Sequence, residues 1–384
     1  MNASGYATDA LYPDTYFREL SPVWLNYVAA LGGGQPRPLD RPFTYLELGC
    51  GLGSSAVTHA SQYRHGEFHA CDFNPRHIEA GRGRAAQARL TNIEFHPESF
   101  ADLAQRELPQ FDFIVLHGVY SWVDAQVRTT IRQAIQQRSK AGALVYVSYN
   151  CLPGWTVEAP LRTLLLELTR AQTGKSAAVE QLKALSLSKL RYFEAYPQAG
   201  EAIESFLRSP EGYLEHEFLE VAWEPRYSID VADEMAEVGL SYLGSATLPD
   251  NHPALVMDER AAQAVAELAT QRQRALAADF AVNRRFRRDV FVSGARTEKG
   301  GAALNAVLIG CPAGPESLGT EVRIPRGVLK FQKDFIDALA GLLARGPVAL
   351  GEAVTVLSKT ENQRVEVGRN LLYLIAAGAL APVG

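Results

Sequence analysis

Apolar and polar positions follow two rhythms along this chain. Short, nearly continuous apolar runs recur at Tyr45–Leu48, Glu67–Cys71, Ile93–His96, Phe111–Leu116 and Ala143–Ser148. Between several of them lie stretches with apolar residues three and four apart, such as Ala125–Arg138 with Val127, Ile131 and Ile135, and Pro75–Ala88. The runs read as parallel strands covered on both faces, and the intervening stretches as the helices that cover them. Strand–helix alternation predicts an α/β, doubly wound sheet with ligands at the carboxyl ends of its strands. A helix over Pro22–Leu31 precedes the first strand and stops at Gly32-Gly33-Gly34. After the fifth strand, about Val157 to Leu207 reads as three helices with no return to a strand. Leu240–Thr247 then follows a short helix, Asp230–Val238, and Asp289–Ser293 follows a long helix from Asp258 to Ala281. These two segments are expected as strands six and seven of the same sheet. From about Val328 the chain reads as helical, with Val328, Phe331, Phe335, Ile336, Leu339, Leu342 and Leu343 at helical spacing and Gly346-Pro347 as the stop. Two more helices, near Leu350–Leu357 and Val365–Ala377, suggest a small winged-helix-like C-terminal domain.

The first strand runs into Glu47-Leu48-Gly49-Cys50-Gly51-Leu52-Gly53, three glycines at alternate positions behind an acid. Glycines let the backbone pass close under a ligand and turn sharply into a helix. The second strand ends in Asp72, a carboxylate placed to take both hydroxyls of a ribose. A dinucleotide site wants G-x-G-x-x-G, with pyrophosphate on the helix N-terminus. Here the acid ahead of the glycines repels phosphate and suits a cation. S-adenosylmethionine carries an ammonium and a sulfonium and no phosphate, so it fits best. Other nucleotides, and a glycine-rich turn with no ligand, are the alternatives.

Composition narrows the partners. The chain of 384 residues, with a formal net charge of -5, has no global field to recruit nucleic acid. No apolar stretch approaches a membrane span, and Met1 to Asp14 lacks the apolar segment of a signal peptide. The four cysteines, Cys50, Cys71, Cys151 and Cys311, form no C-x-x-C pair, so no metal is expected and a reduced, cytoplasmic setting is the economical reading.

Four segments carry a resemblance: Tyr16-Phe17-Arg18-Glu19-Leu20; the glycine motif; His117-Gly118-Val119-Tyr120-Ser121-Trp122-Val123 together with Tyr146 to Trp155; and Asn283 to Val292. On these residues the chain resembles the seven-strand, class I S-adenosylmethionine-dependent methyltransferases with a methyltransferase regulatory domain. More narrowly it is similar to the rickettsial-type protein lysine methyltransferases that act on outer-membrane proteins. The resemblance implies a Rossmann-like methyltransferase sheet with helical insertions. The expected division is a helical segment (1–40), a cofactor-binding core (41–155), a helical insertion (156–228), sheet completion with the regulatory region (229–295), a linker (296–325) and the C-terminal domain (326–384).

On that footing Glu47, Gly49, Gly51 and Gly53 are expected to hold the methionine end of the cofactor and Asp72 the ribose. Ser99 and Phe100, after the third strand, are expected near adenine, although Phe100 could equally be core. Tyr120, Trp122, Tyr149 and Trp155 stand near two adjacent strand ends. There they could desolvate an amine and hold its cation by cation–π attraction before it deprotonates; packing of the loop bases is the plainer alternative. Asn150 could orient an amine or simply cap a turn. His117 invites a general-base role, against that of a hydrogen-bonded structural residue or cofactor contact. The arginines at 284–288 are expected as a solvated helix end tied to carboxylates such as Asp289. The leading function is therefore protein lysine N-methylation, with a protein substrate. A small-molecule O- or N-methyltransferase and a non-catalytic cofactor-binding regulator are alternatives. Nucleic acid is not an expected partner, and a homodimer is open.

Overall fold

A computed structural model describes residues 14–171, 175–188, 190–208, 222–295 and 300–384. Residues 1–13 of the expected N-terminal segment, part of the insertion (172–174, 189 and 209–221) and 296–299 of the expected linker lie outside the described residues.

The centre is a seven-stranded sheet of β1 (Thr44–Leu48), β2 (Glu67–Cys71), β3 (Ile93–His96), β4 (Phe111–Leu116), β5 (Ser139–Asn150), β6 (Leu240–Ser245) and β7 (Phe286–Ser293), in the order β3-β2-β1-β4-β5-β7-β6. The first five strands are parallel, and β7 inserts antiparallel between β5 and β6. Alternate residues of each strand serve opposite faces. Tyr45, Phe68, Phe113, Tyr146 and Val290 pack on one side with α1 (Pro22–Leu31). Leu46, Ile114, Leu116, Val147 and Phe291 pack on the other, against α4 (Phe100–Gln105), α5 (Ala125–Arg138) and the helix Ser228–Glu237. The helices α2 (Ser54–Gln62) and α3 (Pro75–Gln87) follow β1 and β2.

Several expectations need correction. Among the described residues between Val157 and Arg208 there are four helices, not three: Glu158–Ala171, Lys175–Leu187, Arg191–Ala195 and Gln198–Arg208. The helix expected from Asp258 to Ala281 is broken in two, because Thr270 starts a new helix over Gln271–Ala281 with a capping box to Gln273. The segment expected as a linker carries a helix, Gly300–Asn305, and strands β8 (Leu308–Gly310) and β9 (Glu321–Ile324). Val328 lies not in a helix but in β10 (Gly327–Lys330), which pairs with β9; the helix begins only at Lys333. The arginines at 284–288 are not a solvated helix end. They enter β7, where Arg287 meets Asp279 at 2.6 Å and Asp289 at 3.0 Å, Arg284 meets Asp250 at 2.8 Å, and Arg285 pairs with Glu158.

The C-terminal region has its own three-stranded sheet, in which β8 is flanked by β11 (Val348–Ala349) and β12 (Ala381–Val383), and helices Lys333–Leu343, Leu350–Leu357 and Glu361–Ala376. Its apolar residues Ile309, Leu339, Leu371 and Leu374 join the same continuous core as Leu25 and Val28 of α1. His252 also meets the Tyr373 ring edge-on at 5.6 Å.

Candidate active site

The carboxyl ends of β1, β2, β4 and β5 open into a cavity of about 590 Å³. Its floor is the loop after β1, which turns on Gly49, Gly51 and Gly53, all at positive φ (71°, 52° and 76°). Two of these positions tolerate no side chain. A Cβ on Gly49 would stand 2.5 Å from Val119, and one on Gly53 would stand 2.9 Å from Phe95 and 3.2 Å from the backbone of Gly81.

Asp72 is buried and braces this loop. Its Oδ2 accepts the Gly51 N–H at 2.9 Å, its Oδ1 accepts the Asn74 N–H at 2.9 Å, and His77 Nδ1 lies 3.1 Å from Oδ1. Each carboxylate oxygen has more than one lone pair, so the brace leaves acceptor capacity facing the cavity. Glu47 is 5 % exposed, and its Oε2 has no hydrogen-bond partner. Burial first, and then the charge of Asp72, push its carboxyl up to about 8, while a backbone hydrogen bond from Ala56 opposes them. A buried carboxylate with an unmet oxygen is costly unless a cation completes it. The ammonium of S-adenosylmethionine is such a cation, so the donor set fits the expected cofactor on this structure's own terms. Ser99 and Phe100 line the cavity beside Glu98. The Ser99 hydroxyl already caps α4, donating to Asp102 Oδ2 at 2.7 Å and accepting the Asp102 N–H at 3.2 Å.

The other end of the cavity is aromatic. His117, Trp122, Asn150, Phe17 and Phe286 line it. The Phe17 ring lies over His117 with centroids 3.9 Å apart. His117 Nδ1 is 2.8 Å from the Tyr146 hydroxyl and 3.2 Å from that of Ser148, whose oxygen also accepts the Gly118 N–H at 2.8 Å. Burial, helped by the charge of Arg288, lowers the imidazole to about 3, so the ring stays neutral. Asn150 has its N–H held by the Ser121 hydroxyl at 2.9 Å and its carbonyl by the Arg226 N–H at 2.9 Å. Its side-chain Nδ2 is buried with no partner. Trp122 meets Trp223 at 6.2 Å, and Trp223 meets Trp155 edge-on at 5.2 Å. Arg162 lies over Trp223 at 4.6 Å and Arg285 over Trp155 at 4.1 Å.

Of the four aromatics expected at the acceptor end, only Trp122 lines the cavity; Trp155 stands behind it, with Nε1 donating to the Arg285 carbonyl at 2.9 Å. Tyr120 and Tyr149 correct the expectation. Tyr120 is fully buried against the far side of the sheet and donates to Glu234. Tyr149 donates to Asp289 Oδ2 at 2.6 Å inside the same core. Burial raises both phenols above their ordinary value, and the facing carboxylate pushes each the same way. Phe17, Trp223, Phe286 and Glu98 were not singled out from sequence. Phe17 and Phe286 stood inside noted segments without being named as site residues, whereas Trp223 reaches Trp122 from more than 60 residues beyond the strand ends.

A seven-stranded sheet whose antiparallel strand β7 sits between β5 and β6, and an acid–glycine loop at its carboxyl edge, defines a Rossmann-like methyltransferase. A methyltransferase-domain model matches residues 46–145, and a model described as a predicted methyltransferase regulatory domain matches residues 210–293. An uncharacterised protein of Synechocystis sp. is 33 % identical over 356 residues, covering 91 % of this chain and 70 % of that protein. An uncharacterised protein of Rickettsia prowazekii is 29 % identical over 174 residues, 45 % of this chain and 69 % of its own. The structure of PKMT2 from Rickettsia typhi in complex with AdoHcy superposes with a TM-score of 0.72 at 19 % identity, over 97 % of this chain and 77 % of that one. The chain belongs to the S-adenosylmethionine-dependent methyltransferases that carry the methyltransferase regulatory domain. It is an enzyme of that class, and S-adenosylmethionine is its cofactor. Among the described residues no helix is long and apolar enough to cross a membrane.

Proposed function

We propose that this enzyme methylates an amine of a protein substrate, a lysine side chain. The observation that carries the reading is that His117, the imidazole lining the cavity among the described residues, is packed beneath Phe17 and tied through Nδ1 to Tyr146 and Ser148. Its burial also pulls its basicity down, so it is poorly suited to take a proton from a hydroxyl. An amine needs no such base, because it loses its proton to solvent before attack and burial favours its neutral form. When bound, S-adenosylmethionine supplies an activated methyl on a positively charged sulfur.

The chain's residues have the remaining work of alignment and water exclusion. Trp122, Phe17 and Phe286 form the dry walls. His117, fixed by Tyr146 and Ser148, packs beneath Phe17. Asn150 has an unmet side-chain amide at the same end; turned about its last torsion it would offer its oxygen to an amine hydrogen. Glu47, Asp72 and the glycine loop hold the cofactor in this reading. The C-terminal unit, which we read as winged-helix-like, and the helical insertion are surfaces for a macromolecular substrate. The similarity of the fold to PKMT2 supports the same reading.

A second reading rests on one comparison. A malonyl-[acyl-carrier protein] O-methyltransferase of Anoxybacillus flavithermus is 29 % identical over 115 residues, 30 % of this chain. Incubating the enzyme with methyl-labelled cofactor and a size-fractionated bacterial lysate separates the two. Label in discrete protein bands that survives alkali and is recovered as methyllysine supports the proposal. Label in the small-molecule fraction, or released by alkali as a methyl ester would be, overturns it.

A further inference from the structure

Away from the methyl-transfer cavity, β2 and β3 carry the same tripeptide. Glu67-Phe68-His69 runs along one strand and Glu94-Phe95-His96 along the next. Parallel pairing sets His69 beside Glu94, two residues out of step, so the acidic and imidazole groups of both copies share one face. His69 Nδ1 and His96 Nε2 are 3.0 Å apart with rings 5° from parallel. His69 Nε2 lies 2.9 Å from Glu67 Oε1, and His96 Nδ1 lies 3.6 Å from Glu94 Oε1. One ligand atom from each of His69, Glu94 and His96 lies within 4.8 Å of the others.

We propose that His69, His96 and Glu94, with Glu67 behind His69, form a binding site for a divalent transition-metal ion of the kind that imidazole selects, such as Zn²⁺.

The geometry makes the case. Among the described residues, His69, Glu94 and His96 are the group whose ligand atoms converge this closely. His69 Nδ1 and His96 Nε2 already face each other across the strand pair, Glu67 engages the outer nitrogen of His69, and His96 Nδ1 stands beyond hydrogen-bond range of Glu94. The two imidazoles are 4 % and 1 % exposed, so the strand pair holds them in place. Two carboxylates and two neutral imidazoles also balance a divalent ion. Two Zn–N bonds of ordinary length at a tetrahedral angle separate their nitrogens by about 3.3 Å, a few tenths more than the present spacing. Glu67 takes the part of the outer carboxylate that fixes a ligand histidine's tautomer. Both carboxylates are more than half exposed, so the ion has a path from solvent. Arg106 contacts Glu94 at 3.4 Å and Glu98 at 2.5 Å, so the site adjoins the cavity wall. A metal here would staple the sheet's edge strand to its neighbour just before Glu98, Ser99 and Phe100.

The probe is Zn²⁺ itself, titrated calorimetrically into chelator-treated full-length protein. One equivalent should bind with micromolar or tighter affinity. His96→Gln, which removes a ligand, should weaken binding by at least about a hundredfold, and Glu67→Gln, which removes the outer carboxylate, by about tenfold, the scale of a lost outer partner. Absence of saturable binding, or equal binding by both variants, overturns the site. Because His96→Gln is a buried change, Co²⁺ loaded into the unaltered protein gives a measurement independent of folding. Ligand-field bands of a four-coordinate nitrogen–oxygen set support the site, and the spectrum of free aqueous Co²⁺ overturns it.

Discussion

At the scale of the residue, Glu47 links cofactor, pH and stability. Its carboxyl sits near 8 in the folded protein without ligand, against an ordinary 4.5. Between those values the folded chain keeps a proton that the unfolded chain has lost. The unfolded state binds fewer protons there, so stability falls as pH rises through that window, by roughly 1.4 kcal/mol per unit crossed, and levels off above about 8. Glu47→Gln should flatten that slope, and chemical denaturation at pH 5.5 and 8.5 reads it directly. Cofactor binding runs the other way. If Glu47 holds the ammonium, as proposed, the carboxylate form is required, so below pH 8 binding must expel a proton and affinity should drop by up to about tenfold per unit toward pH 6. Calorimetry in buffers of different ionisation enthalpy would expose the released proton. A pH-independent affinity would remove Glu47 from the ammonium site.

At the scale of the element, the loop after β4 separates two neighbours that looked alike in sequence. Trp122 faces the cavity, whereas Tyr120 faces Glu234 on the helix Ser228–Glu237. Trp122→Ala should cut methyl transfer about tenfold to a thousandfold with cofactor affinity nearly unchanged, and higher pH should recover part of the loss. Tyr120→Phe should keep transfer within roughly threefold while lowering stability by about 1 kcal/mol, the worth of one buried hydrogen bond. Single-turnover rates and thermal melts on the two variants decide the matter; equal losses of rate would put Tyr120 back in the transfer path. The first five strands were legible because a buried parallel strand writes itself as an unbroken apolar run. The glycine loop and Asp72 were legible because they are local. Parity could also have separated Tyr149 from Asn150, since adjacent strand residues face opposite sides of the sheet. Val328 misled because β10 is a largely exposed hairpin strand whose apolar residues answer to no core period. The break at Thr270 carries no glycine or proline, only the Thr-x-x-Gln pattern. The tryptophan row was hidden because Trp223 comes from a distant segment that clips onto the strand ends through Glu224 and Arg226.

At the scale of the molecule, α1 lies between the sheet and the C-terminal unit, and their apolar residues form one core. Removing residues 300–384 should therefore bare Leu25 and Val28 and give a chain that melts earlier or fails to stay soluble. Full-length protein should melt in a single transition. Two separated transitions, or an unchanged melting point after truncation, would show an independent domain instead. The position of β7 has a consequence for biosynthesis. It supplies the inner partner of β5, yet it is encoded roughly 135 residues later, so at 5–20 residues per second β5 leaves the ribosome about 7–27 s before its partner exists. For that interval a long apolar strand has a bare edge, the form in which nascent chains pair with the wrong neighbour. The segment matched as regulatory closes that edge, so the growing polypeptide carries it unpaired until residue 293 has emerged.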